Sequence, residues 1–330
     1  MSRDTMHDET MRAIQVSQWG DIDKLTLVEV PRPLPLPTEV RVRVMAAGVN
    51  PVDLFAREGR AYKKALTLPH IPGWDVAGVV ESVGYGVTRF KAGDRVFGMP
   101  WFPRPGSTYA EYVVAPASHF AAVPANLDFV QAAALPLAGL TAWQMLINVG
   151  QVAVGTRVLI NGAAGGVGHL AVQIAKAKGA YVIATARKEK HEFLKSLGAD
   201  LVIDYTQVRV PDLISDADLV LELVGGETCL MMLRTLRKGG LLVSAQAAWT
   251  PTLMDEARAL GVRASWYLVE PDSVGLNEIA RLAESNQLRV KIEQVFPLEA
   301  AAAAQTLVAG KRVVGKVVLT VRADVDAERT

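Results

Sequence analysis

Cysteine, net charge and long apolar runs are all scarce in this chain of 330 residues. The single cysteine, Cys229, cannot close an intramolecular disulfide or supply a cysteine-rich zinc site, which favours a reducing compartment and predicts a cytoplasmic location. Since 35 basic side chains face 34 acidic ones, no strong field would attract nucleic acid or an anionic membrane surface. No apolar run reaches the ~18 residues of a membrane helix. The expected partner is a small-molecule substrate.

Two kinds of hydrophobic pattern divide the chain. Up to about Pro124, short strand patterns are punctuated by Gly and Pro, and Val40, Val42 and Val44 alternate with charged residues. Residues 157–244 instead alternate buried strands with helices, which predicts a doubly wound parallel sheet. We therefore predict an α/β protein with a small β-barrel or sandwich over 1–126, a nucleotide-binding domain over 127–265 and a third segment over 266–330. Residues 1–10 are expected to be a disordered tail.

The sharpest local signal is a glycine-rich turn between a predicted strand and a predicted helix. Its candidate residues for a phosphate cradle are Ala163, Gly165, Gly166, Val167 and Gly168. Ala163 takes the first position of the Gly-x-Gly-x-x-Gly spacing, and two glycines take the others. Glycine lets backbone N–H groups approach a pyrophosphate, whose charge the helix N-terminus stabilises. The turn predicts dinucleotide binding, and tight helix-to-strand packing without a ligand is the alternative.

The end of the next predicted strand bears on the choice between NAD and NADPH. An acidic residue about 20 positions after the turn commonly binds the adenosine ribose of NAD, but Arg187 and Lys188 stand here. Two cations suit a 2′-phosphate, so NADPH (NADP) is the predicted cofactor. Tyr205 is a candidate cover for the adenosine. A solvated, charged helix start is the alternative interpretation of the two cations.

Six motifs follow one another along the chain. They are Ala47–Asp53, Ile71–Gly78, Gly93–Gly98, Tyr109–Tyr112, Gly162–Gly168 and Leu197–Asp200. Together they resemble the medium-chain dehydrogenase/reductase superfamily, and within it the zinc-free, zeta-crystallin-like quinone oxidoreductases. The resemblance implies a GroES-like β-barrel catalytic domain, an inserted Rossmann domain and a C-terminal return to the first domain. It also implies NADPH-dependent hydride transfer to quinones or α,β-unsaturated carbonyls.

The zinc-binding branch of this superfamily offers a contrast, because it holds its catalytic metal through Cys, His and Cys. The resemblance places Asn50, Trp74 and Leu137 at those three positions, and none is a strong zinc ligand. We therefore predict no metal. An alcohol dehydrogenase and a non-catalytic NADPH-binding structural or regulatory protein are the alternative functions.

The candidate residues on the substrate side fall in the first domain. Asn50 replaces a metal ligand and is a candidate donor to the substrate oxygen, with capping of backbone groups as its alternative. Tyr62 is a second candidate donor, through its phenol. Phe55 stands where related reductases often carry tyrosine, and Trp74 is a candidate aromatic wall, or else a core residue. Asp53 is expected to order the loop.

Three further expectations concern the cofactor and the assembly. The resemblance assigns Thr141 to the nicotinamide side and Lys316 to the cofactor phosphates, with a solvent-facing lysine as the alternative for Lys316. A homodimer is expected, because a terminal sheet strand near residues 241–244 would leave an apolar edge open, and related proteins often pair there.

Overall fold

The structure, a computed structural model, describes residues 9–245 and 251–322, which fall into two compact units. Unit 1 takes the described residues of 1–137, 270–284 and 292–330, and unit 2 those of 138–269 and 285–291. The predicted tail lies mostly outside the described residues, and the first strand among the described residues begins at Thr10, the last residue of that tail. Unit 1 extends past residue 126 because the helix Phe129–Ala133 contacts four strands of its sheet.

The described residues form fifteen strands and nine α-helices. The strands are β1 (Thr10–Val16), β2 (Leu25–Pro31), β3 (Glu39–Val49), β4 (Val76–Val83), β5 (Arg95–Gly98), β6 (Tyr112–Pro116), β7 (Phe120–Ala122), β8 (Arg157–Asn161), β9 (Tyr181–Thr185), β10 (Leu201–Ile203), β11 (Ala217–Glu222), β12 (Leu236–Ser244), β13 (Arg263–Trp266), β14 (Ile292–Pro297) and β15 (Lys316–Thr320). The helices are α1 (Pro51–Arg57), α2 (Phe129–Ala133), α3 (Pro136–Trp143), α4 (Gly166–Ala177), α5 (His191–Ser196), α6 (Glu227–Leu233), α7 (Pro251–Leu260), α8 (Ser273–Glu284) and α9 (Ala301–Ala309). A π-helical segment, Gln144–Val149, continues α3. None of these helices combines the length and the apolarity needed to cross a membrane.

Unit 1 is built on a mostly antiparallel sheet with the order β14-β15-β3-β4-β5-β7, in which β6 also pairs with β3. The valines of the predicted alternation, Val40, Val42 and Val44, are fully buried, while Arg41 and Arg43 between them are partly exposed. The burial of one strand face explains why β3 forms at the centre of this sheet. Since β15 pairs with β3, the C-terminal segment completes the sheet that the N-terminal segment begins.

Unit 2 contains a parallel sheet of six strands in the order β10-β9-β8-β11-β12-β13. The strand order reverses at β8, the first strand of this unit, as in doubly wound dinucleotide-binding folds. The predicted α/β architecture with a Rossmann sheet is confirmed. The expected open edge near residues 241–244 is wrong, because β13 pairs with β12 and is itself the terminal strand. The sequence pattern of β13, Arg-Ala-Ser-Trp, lacks the apolar run that marks the inner strands.

Candidate functional site

The glycine-rich turn of unit 2 joins the carboxyl end of β8 to the start of α4. Gly162 has φ +82°, in the left-handed region that favours glycine, and Gly165 is the N-cap of α4. The first N–H groups of a helix have no partner within the helix and carry its positive dipole end. The turn and the helix start therefore present the backbone donors that a pyrophosphate requires.

Two glycines of the turn serve different purposes. A Cβ on Gly165 would meet only the carbonyl oxygen of Gly162, at 3.5 Å, so the protein leaves open space above this residue. A Cβ on Gly168 would lie 2.4 Å from the same oxygen and 2.6 Å from Cα of Ala163. Gly168 is thus required for packing α4 against the turn. Gly165 is not required for packing, and its missing side chain leaves the room that a phosphate group would fill.

The predicted cations lie at the same edge of the sheet as this turn. β9 pairs with β8 so that Thr185 is opposite Asn161, and Arg187 follows two residues after that strand end. Arg187 and Lys188 are exposed, and Nε of Arg187 donates to the hydroxyl of Tyr205 over 3.4 Å. Arg187 and Tyr205, separated by 18 positions in sequence, are therefore adjacent, and both side chains are exposed.

In unit 1, Asn50 is part of a closed polar cluster, in which its side chain is 2% exposed. Its amide nitrogen Nδ2 donates to Oδ2 of Asp75 over 2.8 Å, and its oxygen Oδ1 accepts from the ammonium group of Lys316. Lys316 also donates to Oδ2 of Asp75 at 3.0 Å and to the carbonyl oxygen of Val49 at 3.4 Å. These three acceptors match the three N–H donors of a lysine. Lys316 is 3% exposed, so the solvent-facing alternative is wrong, and with its donors used inside unit 1 we do not propose it as a ligand of the cofactor phosphates.

Asp53 lies beneath the same loop and is fully buried. Its oxygen Oδ2 accepts from the backbone N–H of Asn50 and from the hydroxyl of Tyr109, both over 2.8 Å. Burial raises the pKa of Asp53 to about 7, although the two donors oppose the rise. Asp53 orders the start of α1, at whose N-cap Asn50 stands. The bonds of Asp53 agree with its expected loop-ordering role, whereas the Asn50 side chain bonds to Asp75 and Lys316 and makes no capping hydrogen bond.

Three aromatic rings of unit 1 pack edge to face. Tyr62 lies 6.4 Å from Trp74 and 5.3 Å from Phe102 between ring centroids. Trp74 is 2% exposed and donates its indole N–H to the carbonyl oxygen of Arg104 over 2.7 Å, so it is a core residue and not an open wall. Tyr62 is only partly buried, and no hydrogen bond to another described residue affects its hydroxyl. Burial raises the pKa of Tyr62 to about 12, which keeps the phenol protonated at neutral pH.

The other two candidates stand apart from these clusters. Phe55 lies on α1 with the guanidinium group of Arg60 at 4.9 Å over its ring, and it does not join the aromatic group of Tyr62. Thr141 is buried on α3, in the part of that helix that belongs to unit 2.

Comparisons with known proteins identify the family of this chain. Residues 36–125 match the alcohol dehydrogenase GroES-like domain, and residues 197–319 match the zinc-binding dehydrogenase family. The quinone oxidoreductase of Mus musculus is 33% identical over 331 residues, covering 94% of this chain and 97% of the mouse protein. The structure of the quinone oxidoreductase from Coxiella burnetii superimposes with a TM-score of 0.89 at 36% identity, covering 95% of this chain and 100% of that one.

This chain belongs to the medium-chain dehydrogenase/reductase superfamily, in its quinone oxidoreductase branch. A chloroplastic NADPH-dependent alkenal/one oxidoreductase of Arabidopsis thaliana is 37% identical over 261 residues, or 76% of this chain. The matched region spans 66% of that plant protein, so this chain covers about two-thirds of its length. The predicted family and the predicted fold are both confirmed.

Asn50, Trp74 and Leu137 occupy the three positions that hold catalytic zinc in the zinc-binding branch of this superfamily. Asn50 is engaged by Asp75 and Lys316, Trp74 is packed in the core, and Leu137 donates its backbone N–H to Asp75 over 2.6 Å. Within residues 9–245 and 251–322, no three His, Cys, Asp or Glu side chains are grouped closely enough to hold a metal ion. The donor chemistry at these positions does not suit zinc.

Sequence reasoning missed several buried polar residues around the site. Asp75 and Tyr109 lie within the motifs Ile71–Gly78 and Tyr109–Tyr112. Their spacing along the chain does not show that Asp75 bonds to Asn50 or that Tyr109 bonds to Asp53. In unit 2, Glu222 is the last residue of a strand, and it is 0% exposed. A charged residue at the end of an apolar strand is the signal that would have identified it.

Proposed function

We propose that this chain is an NADPH-dependent, metal-independent oxidoreductase that reduces quinones or α,β-unsaturated carbonyl compounds. The observation that carries the proposal is the open space at Gly165. This residue lies between β8, where the strand order of the parallel sheet reverses, and the N-terminus of α4. Such a place binds the pyrophosphate of a dinucleotide. The names of the similar mouse, Coxiella and Arabidopsis proteins support the acceptor classes.

The residues of unit 2 fit the proposed cofactor. The cradle of Ala163, Gly165, Gly166, Val167 and Gly168 would hold the pyrophosphate. Arg187, with Lys188 beside it, would bind the 2′-phosphate, because charged donors recognise phosphate strongly, and Tyr205 would lie on the adenosine. When bound, NADPH supplies a hydride from C4 of its nicotinamide ring. Thr141 remains the proposed contact on the nicotinamide side.

The proposed reaction needs a proton in addition to the hydride. An enone takes the hydride at its β-carbon and a proton at the α-carbon or oxygen, and a quinone becomes a hydroquinone. Tyr62 is the proposed donor, because its hydroxyl is protonated at neutral pH and no hydrogen bond to another described residue affects it. Its φ of +53° places it in a backbone region that non-glycine residues rarely adopt, and such conformations are concentrated at functional sites. Asn50, closed within its cluster, orders the loop, and Phe55 is proposed as an apolar neighbour of the substrate.

The decisive experiment is NADPH oxidation by purified protein, pretreated with chelator, against a panel of quinones, enals, enones and simple ketones or aldehydes. We expect turnover of the conjugated acceptors and none that depends on added zinc. Activity lost in chelator and restored by stoichiometric zinc would contradict metal independence and favour an alcohol dehydrogenase. NADPH binding without oxidation by any acceptor would favour the non-catalytic alternative. Equal rates of oxidation of NADH and NADPH would contradict the proposed preference for NADPH.

The proposal also includes a cytoplasmic homodimer. β13, the terminal strand of the parallel sheet, offers unpaired backbone groups on its outer side within the described residues. Pairing of two such edges across a twofold axis would satisfy them.

A further inference from the structure

Three neighbouring strands of the parallel sheet in unit 2 end in polar side chains. Thr185 ends β9, Asn161 ends β8 and Glu222 ends β11, and the strand register sets Asn161 opposite both of the others. Their exposed fractions lie between 0% and 4%. The apolar residues that precede them along each strand make this row of polar groups costly unless every donor and acceptor is paired.

The row is paired through one continuous chain of hydrogen bonds. The backbone N–H of Gly162 donates to Oγ1 of Thr185 over 3.3 Å, and the Thr185 hydroxyl donates to Oδ1 of Asn161 over 2.6 Å. Nδ2 of Asn161 then donates to Oε2 of Glu222 over 2.8 Å. The other carboxylate oxygen, Oε1, accepts from the backbone N–H groups of Val224 and Gly225 over 2.7 and 2.9 Å.

This chain of bonds joins two turns that lie at the carboxyl edge of the sheet. One is the turn after β8, which begins the glycine-rich cradle, and the other is the turn after β11. The two turns also approach each other directly, since a Cβ on Gly162 would lie 3.2 Å from a methyl carbon of Val224. β8 is the strand at which the strand order reverses, so both turns flank the place where open α/β sheets bind their ligands.

The direction of the bonds explains why a carboxylate at residue 222 suits an asparagine at residue 161. Three donors converge on the side chain, one amide N–H from Asn161 and two backbone N–H groups, and an ionised carboxylate accepts at both oxygens without donating. Burial raises the pKa of Glu222, and the bonds from Gly225, Asn161 and Val224 oppose that rise. A buried acid that follows three apolar residues, Leu219–Leu221, is expensive, and here it bonds to groups in two loops.

We propose that Glu222 is a positioning residue of the dinucleotide site, which acts through Asn161 and the Val224–Gly225 backbone to hold the two turns in their binding geometry. This inference rests on the proposed cofactor function. It predicts that the hydrogen-bond pattern at Asn161 and Glu222, and not the negative charge at residue 222, sets the affinity for NADPH.

An exchange of donor and acceptor between the two residues tests the proposal. Glu222→Gln alone places an amide group where both oxygens accepted hydrogen bonds. In one orientation its N–H groups face Nδ2 of Asn161, and in the other they face the backbone N–H groups of the turn. Asn161→Asp alone sets two carboxylates against each other. The combination of both substitutions satisfies every bond again: the new carboxylate accepts from Thr185 and from the new amide, whose oxygen accepts from Val224 and Gly225.

The measurements are the NADPH dissociation constant by fluorescence titration and the thermal unfolding midpoint of each variant. We expect each single substitution to weaken NADPH binding by about 5- to 100-fold, as for residues in one network, and the combination to return within about threefold of wild type. Asp218→Asn is the matched control, because Asp218 is a carboxylate near the other end of β11 that accepts from the backbone N–H of Arg157. It should leave the dissociation constant unchanged.

Each outcome decides a different point. Wild-type binding by both folded single variants, or a combination that does not recover binding or does not fold, would overturn the role of Glu222. If the single variants do not fold, recovery of folding and binding in the combination supports the proposal. Failure of the wild-type protein to bind NADPH or NADH would instead overturn the proposed cofactor function.

Discussion

Replacement of Asp53 by asparagine tests the electrostatics of unit 1. Asp53 is fully buried, its Oδ2 accepts two hydrogen bonds, and its Oδ1 has no partner among the described residues. Burial is the largest influence and raises its pKa from 3.8 to about 7. The bonds from Asn50 and Tyr109 oppose the rise, nearby Asp75 adds to it, and Lys316 opposes it.

The sign of the pH dependence follows from this shift. Between pH 3.8 and about 7 the folded chain holds a proton on Asp53 that the unfolded chain has released, so stability falls as pH rises through that window. The pKa of Asp53 differs by about three between the folded and the unfolded chain, and each pKa unit corresponds to about 1.36 kcal/mol. Above pH 7 the free energy of unfolding is therefore lower by at most about 4 kcal/mol. Asparagine does not titrate, and its oxygen can still accept from the backbone of Asn50 and from Tyr109.

Urea unfolding of wild type and Asp53→Asn at intervals from pH 4 to pH 8 measures this contribution. Because other titrating groups are common to both proteins, the difference between their unfolding free energies isolates Asp53. We expect that difference to move in favour of the variant by up to about 4 kcal/mol as pH rises, and to level off above pH 7. A difference that stays constant, or moves in favour of wild type, would refute the raised pKa.

Four other predictions concern the phosphate cradle, the 2′-phosphate contact, the proton donor and the assembly. Gly165→Ala should fold normally but bind NADPH and NADH about tenfold more weakly in a fluorescence titration, because its Cβ enters the proposed phosphate space. Gly168→Ala should instead lower the thermal unfolding midpoint, because its Cβ would lie 2.4 Å from a backbone oxygen. Unchanged cofactor binding by folded Gly165→Ala would remove the cradle from this role. Arg187→Asp should reduce the NADPH/NADH ratio of kcat/KM at least about tenfold, since it replaces phosphate attraction by repulsion, and an unchanged ratio would exclude Arg187. Tyr62→Phe should lower kcat on a good enone by up to about a hundredfold without changing the NADPH dissociation constant, and a wild-type kcat would make water the proton donor. Light scattering should give the mass of two chains across dilution, and a monomer at every concentration would contradict pairing through β13.

The proposed cofactor-binding residues of unit 2 could be predicted largely from the sequence, because they follow one another closely along the chain. A strand, a glycine turn and a helix that follow one another in the chain produce the cradle from backbone groups alone, and Arg187 stands at a set distance after it. The parallel sheet was likewise predictable from the alternation of strands and helices. The pairing of β13 was not, because its four residues carry no apolar periodicity.

The polar cluster of unit 1 depends on contacts between residues that are far apart in the chain. The sequence by itself determined that zinc ligands are missing at Asn50, Trp74 and Leu137, since residue type alone decides that chemistry. Only the tertiary structure decided that Lys316, 266 positions after Asn50, donates to the Asn50 amide and neutralises Asp75. Burial is a property of the folded chain: it forces each charge and amide to find a partner, and the fold determines which partner is within reach.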